Sequence, residues 1–316
     1  MSFRWGQRVS ERARRRRRGF TLLTTLWVLT VASAMTLGFA AVGRRAIDAA
    51  RNRVVMERAR WNALGCVRRV QAAIDDALSG AESEDAAASL WRELYRAIDA
   101  SPLLAGCDIT LEAAGARLDI NAASAESMQR LITATDASLP ADSMADALVD
   151  WRDSDDVALD KGAERDWYVE AQRTPPRNAS FQSSHELGYV RGFEESAAVE
   201  SLVTTEPGRV SLANAPLPVL ESVTGVSSEL AERVMERRSS GARVDLADLT
   251  GSISDAAAAE LVARYPDAAR LTTPDPDGWL LTVRGAADSP DLTSPMLWRF
   301  VRDGRWVRVL AVRSLP

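Results

Sequence analysis

The sequence is poor in residues that commonly carry catalysis, since its 316 residues include one histidine, one lysine and two cysteines. Any catalytic triad with an imidazole base must use His185, and the chain has no GxSxG elbow, Walker loop or dinucleotide-binding fingerprint. A membrane-anchored hydrolase with paired carboxylates is the remaining enzyme alternative. We therefore expect a protein that is not an enzyme.

Two cysteines, Cys66 and Cys107, are too few for a disulfide framework. In an oxidising compartment they could form one bond, and in a reducing one they would be small buried hydrophobic residues. The sequence alone leaves both alternatives open.

Positive charge is concentrated at the N-terminus. Residues 1–19 hold eight arginines and one glutamate, a charge of +7, so the remaining chain carries −12 of the total of −5. Phosphate neutralisation supplies most of the affinity of nucleic-acid-binding proteins. The acidic body therefore disfavours binding to nucleic acid through a broad basic face.

Residues 20–42 contain no charged side chain. As a helix these 23 residues are about 34 Å long, enough to cross a bilayer core of about 30 Å. The preceding arginines place the N-terminus in the cytoplasm and the body on the other side. Three interpretations fit: a permanent anchor, a secretory signal cut near Ala32-Ser33-Ala34, or a leader cut at Gly19 and followed by a retained helix.

The segment after the span favours a retained helix, because no helix breaker follows it. Apolar residues recur there with the period of one amphipathic helix face: Ile47, Val54, Trp61, Leu64, Val70, Ile74 and Leu78. We predict one continuous helix from Phe20 to about Leu78.

A basic leader ending in Gly19, then Phe-Thr-Leu-Leu and a long half-apolar helix, resembles the type IV prepilin family. The resemblance implies cleavage by prepilin peptidase between Gly19 and Phe20 and N-methylation of Phe20. The family usually has glutamate at the fifth mature position, where this chain has Thr24. A subunit without that carboxylate cannot pair with the N-terminal ammonium of a subunit above it, which implies a place at the filament tip.

The body has an α+β pattern. Alternating residues around Gly115 predict a β-hairpin from about Asp108 to Ile120, a mainly helical stretch follows, and the last forty-odd residues return to strands with a tight turn at Asp303-Gly304. The expected fold is a long N-terminal transmembrane helix packed on a small antiparallel sheet, a pseudopilin fold with a large inserted all-α domain. Its predicted segments are the leader (1–19), the span (20–42), the rest of the rod with a short helix and hairpin (43–120), the inserted domain (121–270) and the C-terminal strands (271–316).

The helical stretch contains a weak internal repeat, with copies at about 118–193 and 210–251 at an offset of 92 residues. The second copy includes "TGVSSELAERVMERR", which is similar to half of a helix-hairpin-helix unit. Such units often bind DNA, but the second glycine of the turn is missing and the helix mixes acidic with basic residues. A packing hairpin is therefore expected, and a membrane-anchored DNA-binding or uptake protein is the alternative.

The order of motifs, from the leader through "DWRDSDD", "GAERDWY" and "VRGF" to the second repeat, resembles the K family of minor pseudopilins of type II secretion systems. The resemblance implies an inner-membrane protein with a periplasmic body at the pseudopilus tip. Minor pseudopilins I and J, other pseudopilins and prepilin peptidase would be its partners, and the secretin and secreted cargo are further candidate contacts. It would initiate pseudopilus assembly for export of folded proteins.

An acidic loop runs from Asp150 to Asp166. Mutual repulsion makes such a cluster unfavourable unless it is solvated or holds a cation, and oxygen donors without histidine or cysteine favour calcium. The spacing is not that of an EF-hand, so any site is irregular; K-family members bind calcium in this region, which the resemblance extends to this chain. The candidate ligands are Asp153, Asp155, Asp156, Glu164 and Asp166, and a solvated loop is the alternative.

Overall fold

The structure is a computed structural model that describes residues 7–99, 104, 107–284 and 295–314. The first six residues of the predicted leader and the last two residues of the chain lie outside the described residues. The described residues divide into two compact units, one that ends at residue 61 and one that begins at residue 62.

The elements follow one another in an α-rich order. The helices are α1 (Gln7–Ser79), α2 (Glu84–Arg92), α3 (Leu94–Asp99), α4 (Ala125–Thr135), α5 (Ala141–Arg152), α6 (Arg165–Glu170), α7 (Ala197–Glu200), α8 (Leu217–Glu221), α9 (Ser228–Ser239) and α10 (Asp255–Leu271), with short 3₁₀ helices at Ser184–Tyr189 and Leu246–Ser252. The strands are β1 (Asp108–Ala113), β2 (Leu118–Asp119), β3 (Val203–Thr204), β4 (Val210–Ser211), β5 (Thr272–Thr273), β6 (Trp279–Arg284), β7 (Met296–Asp303) and β8 (Trp306–Ser314).

The first unit consists mainly of the N-terminal part of α1. This helix starts at Gln7, upstream of Gly19, and continues without a break through the uncharged segment. The large apolar side chains of that segment are exposed, for example Phe20 at 72% and Phe39 at 77%. Within the described residues α1 is the one helix long and apolar enough to span a membrane.

In the second unit, the C-terminal part of α1 packs on a four-stranded antiparallel sheet of order β1-β6-β7-β8. Val70, Ile74 and Leu78 are fully buried and share one hydrophobic cluster with sheet residues such as Leu281 and Phe300. The spacing of four residues places these three side chains on one helix face. The predicted helix-on-sheet arrangement is confirmed.

The prediction that the apolar residues of α1 form a single amphipathic face is wrong. Ile47, Val54 and Trp61 are 51–69% exposed, whereas Val70, Ile74 and Leu78 are buried. The phase changes between Leu64 and Val70, because a step of six residues rotates the helix by about 240°. The apolar residues therefore form two separate stripes.

The predicted hairpin between Asp108 and Ile120 is also wrong. β1 pairs with β6, from Asp108 opposite Arg284 to Ala113 opposite Trp279, while β2 pairs in parallel with β3. Gly115 turns the chain with φ of +82°, and a Cβ there would lie 1.8 Å from the carbonyl oxygen of Arg209. Because another backbone segment passes so close, the chain leaves the sheet at this glycine instead of folding back on β1.

The tight turn at the C-terminus is confirmed, with a shift of one residue. Asp303 pairs with Trp306, so Gly304 and Arg305 are the two central residues. Gly304 has φ of +62°, which a two-residue hairpin of this kind requires.

The internal repeat is visible in both backbone and hydrogen bonds. Each copy begins with a two-residue strand, β2 or β4, that pairs in parallel with a later strand and precedes a helix, α4 or α8. Arg152 donates to the carbonyl oxygens of Ile120 and Ala123. Arg238 does the same for the corresponding carbonyls, 92 residues later, of Leu212 and Ala215.

Cys66 of α1 and Cys107, next to β1, form a disulfide with a Cα–Cα distance of 5.8 Å. The bond joins residues separated by 41 positions and thus ties α1 to the first strand of the sheet. The sequence left open whether these two cysteines are bonded or free, and in the structure they are bonded.

We expect the double variant Cys66→Ala/Cys107→Ala to lose about 4 kcal/mol of unfolding free energy, since the open chain regains the loop entropy that the bond removes. Urea denaturation of the detergent-solubilised full chain measures this loss. A thiol reductant should produce a similar shift in the natural chain and none in the variant. Equal midpoints for the oxidised natural chain and the variant would contradict the prediction.

Candidate metal centre

Helix α5 positions the first part of the acidic loop. Its buried face includes Met144, Leu148 and Trp151, and Asp150 lies among them with no exposed surface. Asp153 follows as the C-cap residue of the helix. The Trp151 ring packs edge-on against Tyr168 of α6 at 5.3 Å between ring centroids. The packing of α5 on α6 thereby fixes both ends of the loop.

Glu164 enters the same place from the other end of the loop, as the N-cap residue of α6. One carboxylate oxygen from each of Asp150, Asp153 and Glu164 lies within 4.8 Å of the others. Gly162 permits this approach, because a Cβ at this position would lie 1.8 Å from Oδ2 of Asp150.

The three carboxylates have fewer hydrogen bonds than their burial demands. The backbone N–H of Leu159 donates to both oxygens of Asp150, at 3.1 and 3.2 Å. Both oxygens of Glu164 and Oδ1 of Asp153 are buried and have no hydrogen-bond partner. Buried polar atoms are normally paired, so these oxygens are suited to a cation or a proton.

Burial and mutual repulsion shift the pKa values of all three groups. Burial, together with the neighbouring Asp150 and Asp153 charges, raises the pKa of Glu164 to about 7. Burial also raises the pKa of Asp150 and of Asp153. The carboxylates of Asp150 and Asp153 lie at the C-terminal, partially negative end of α5, which adds to the cost of their charge.

The predicted ligands are only partly brought together. Asp153 and Glu164 belong to the cluster, while Asp155, Asp156 and Asp166 are exposed. Asp155 accepts a hydrogen bond from the N–H of Val157, and Asp156 accepts one from the amide of Asn178 at 3.1 Å. The carboxylates of these two residues thus have partners in the loop backbone and side chains.

Asp150 was missing from the predicted ligands. Asp150 lies three residues after Ala147 and one before Trp151, on the buried side of the amphipathic helix α5. Because a buried carboxylate is costly without a compensating group, this position indicates a buried cation or hydrogen-bond donor beside it. Asn178, whose Nδ2 donates to the Asp155 carbonyl, also has a buried Oδ1 without a hydrogen-bond partner.

In the helix-hairpin-helix-like segment, two arginines make contacts within the segment itself or with nearby backbone. Gly225 turns the chain between α8 and α9 with φ of +86°. Arg233 pairs with Glu236 at 2.6 Å, and Arg238 donates to backbone carbonyls of the same unit. The DNA-binding alternative is not supported.

The single histidine lies away from the acidic cluster in sequence and is mostly exposed. The side chain of His185 is 82% exposed, and its Nδ1 lies 2.5 Å from a carboxylate oxygen of Glu200. It belongs to the 3₁₀ helix Ser184–Tyr189, whose start is closed by a capping box between Ser183 and Glu186.

In cation-free protein we expect the unfolding free energy to fall as pH rises from 5 to 8. The pKa of Glu164 is about 7 in the folded chain against a reference of 4.5, so the folded state holds this proton more tightly. Stability from this group is complete below about pH 4.5 and is lost through pH 7, a change of roughly 3 kcal/mol. Urea denaturation in EDTA at several pH values measures the slope.

The matched variants for this measurement are Glu164→Gln and Asp166→Asn. The first removes the titrating group and should flatten the pH dependence, whereas the second changes an exposed carboxyl of the same loop and should leave it unchanged. An unchanged slope in Glu164→Gln would assign the pH dependence to other groups.

Comparison with known proteins agrees with the fold and the loop. Residues 109–205, which include the acidic cluster, match the family model described as type II secretion system (T2SS), protein K. A chain of the GspK-GspI-GspJ complex of the type 2 secretion system from enterotoxigenic Escherichia coli has the same fold, with a TM-score of 0.53 at 14% identity over 84% of this chain and 99% of that chain. No curated protein matches the sequence. Residues 109–205 are thus similar to protein K of type II secretion systems, and they lie within a fold similar to that of a chain of the GspK-GspI-GspJ complex.

Proposed function

We propose that the chain is a minor pseudopilin of a type II secretion system, that it occupies the tip of the pseudopilus, and that it starts pseudopilus assembly together with minor pseudopilins I and J. The relative of the same fold is described in a complex with I and J. Other pseudopilins below it, prepilin peptidase, the secretin and secreted cargo complete the proposed set of partners.

The observation that carries the tip position is the hydrogen bond of Thr24. Its hydroxyl donates to the carbonyl oxygen of Thr21 at 2.9 Å, so this side chain is satisfied within its own helix. A glutamate at the same depth of a bilayer would require an external partner. A subunit with threonine here needs no subunit above it.

The proposed location is the inner membrane, with a cytoplasmic N-terminus and a periplasmic body. The span in α1 and the arginines before it support this orientation. The Cys66–Cys107 bond supports an oxidising compartment for the body.

Coexpression with prepilin peptidase should yield a chain that begins at N-methylated Phe20 and co-purifies with I and J of the same system. Mass spectrometry of the membrane-extracted protein determines the N-terminus. A Gly19→Val chain should keep its leader, because the peptidase site requires glycine before the cut. An intact Met1 in the presence of the peptidase, or a mature chain that never binds I and J, would contradict the proposal.

We further propose that the acidic cluster holds a structural calcium ion. Asp150, Asp153 and Glu164 would supply carboxylate oxygens, and the unpartnered state of the Glu164 and Asp153 oxygens supports this assignment. A bound divalent cation would offset the repulsion between these charges and hold the two ends of the loop together. It would thereby stabilise the packing of α5 on α6.

Calcium should raise the thermal midpoint of the EDTA-treated full chain at pH 7.5 by several degrees, because binding to the folded state alone adds stability. Glu164→Gln should lose most of this increase, and the matched Asp166→Asn variant should keep it. Differential scanning calorimetry in detergent with and without calcium measures the shift. No calcium-dependent shift in the natural chain would rule the site out.

A further inference from the structure

The part of α1 between the span and the second unit carries an exposed apolar row. Ile47, Val54 and Trp61 follow one another at intervals of seven residues and are 55%, 51% and 69% exposed. A seven-residue interval is close to two helical turns, so these side chains lie along one side of the helix. We call this row the seam.

Arginines border the seam on both sides. Arg44, Arg51 and Arg58 each lie three residues before a seam residue, about 60° round the helix, and Arg53 and Arg60 each lie one residue before, about 100° round in the other direction. All five are exposed. They form no ion pair with any residue that the structure describes.

We propose that the seam docks an α-helix of a different subunit whose own apolar row is bordered by aspartate and glutamate. This inference rests on the proposed assembly with other subunits and adds the chemistry of the surface that α1 selects. In paired helices the apolar row supplies contact area, while the residues beside it decide which partner is accepted.

A second copy of this chain is a poor occupant of the seam. In a parallel pair of helices, the residue just before a seam position lies opposite the partner residue that is five positions later in sequence. In a pair of identical chains, Arg53 of each copy would therefore face Arg58 of the other copy, which gives two contacts between like charges. Like charges in these positions disfavour the pair. The arrangement therefore excludes self-association and selects a partner of opposite charge.

A lipid surface is also a poor occupant. Trp61 lies 19 residues beyond Val42, about 28 Å along the helix, whereas the headgroup region extends only about 5–8 Å beyond the hydrocarbon core. Even at a tilt of about 40° most of the seam remains beyond the headgroups. The apolar residues there must be covered by protein.

Glu57 lies within the seam, between Val54 and Trp61, and is exposed. A polar residue in an apolar row fixes the register of a helix pair at some cost in stability. The partner helix should therefore present a basic or polar residue opposite Glu57 and acidic residues opposite Arg53 and Arg58.

The test is photo-crosslinking in membranes of the native host, with p-benzoylphenylalanine in place of Val54 in the full chain. Mass spectrometry identifies the crosslinked species and the segment it comes from. We expect a helix of another subunit with acidic residues beside its apolar row. Arg58→Glu should lower this crosslink roughly fivefold, because each reversed charge exchanges attraction for repulsion.

The matched control is Arg45→Glu, which makes the same change of charge about 160° away from Ile47 round the helix, and should leave the crosslink unchanged. Arginine in place of the partner's facing acidic residue should restore the crosslink of Arg58→Glu. Crosslinks to phospholipid, to a second copy of this chain, or to a helix indifferent to Arg58→Glu would each overturn the inference.

The outcome separates this inference from the proposed function. An Arg58-dependent crosslink to an acidic helix of a protein other than a pseudopilin upholds the inference and contradicts the proposed partners. Co-purification with I and J without any Arg58-dependent crosslink upholds the proposed partners and contradicts the inference.

Discussion

The second unit depends on the antiparallel pairing of β1 with β6. The two strands are separated by the whole helical block, yet their six residue pairs place Ala113 opposite Trp279 and bring both ends of that block together. The indole N–H of Trp279 donates to the carbonyl of Trp91, and the indole of Trp91 donates to Pro276. These two hydrogen bonds connect the short helices after α1 to the sheet. The sheet, α1 and the start of the helical block are therefore held together by the same set of contacts.

The acidic cluster of Asp150, Asp153 and Glu164 also results from the packing of the core. α5 is held by its apolar face, and this face leaves Asp150 buried next to Asp153 and Glu164. The chain thus brings three carboxylates together while both oxygens of Glu164 and Oδ1 of Asp153 are buried without a hydrogen-bond partner among the described residues. A site of this kind stabilises the loop only when a cation or proton is present, which couples the structure of this region to its surroundings.

Charged side chains are arranged in opposite ways in two regions of the chain. In the acidic loop three carboxylates converge, whereas in the first unit arginines remain exposed beside an apolar row. Both arrangements are incomplete within the single chain. A subunit of an assembly is expected to show such unsatisfied surfaces, because partners cover them in the assembled state.

Several features were predictable from local sequence. The uncharged segment, the long helix and the glycine turn at Gly304 depend on neighbouring residues, so periodicity and turn chemistry were enough to predict them. The repeat offset of 92 residues was likewise found in the sequence, although its reason, the matched carbonyl contacts of Arg152 and Arg238, was not.

Other features depended on contacts between distant residues. The alternation around Gly115 indicated strands but not their partners, since the partner of β1 lies beyond the helical block. Asp150 joined the cluster because of the side of α5 on which it lies, and the seam separated from the buried stripe because a six-residue step rotates the helix. The sequence by itself determined the apolar span, the period of the helices and the amount of acidic charge. Only the tertiary structure decided which strands pair, whether the two cysteines join and which carboxylates meet, because these depend on distances between residues that are far apart in the chain.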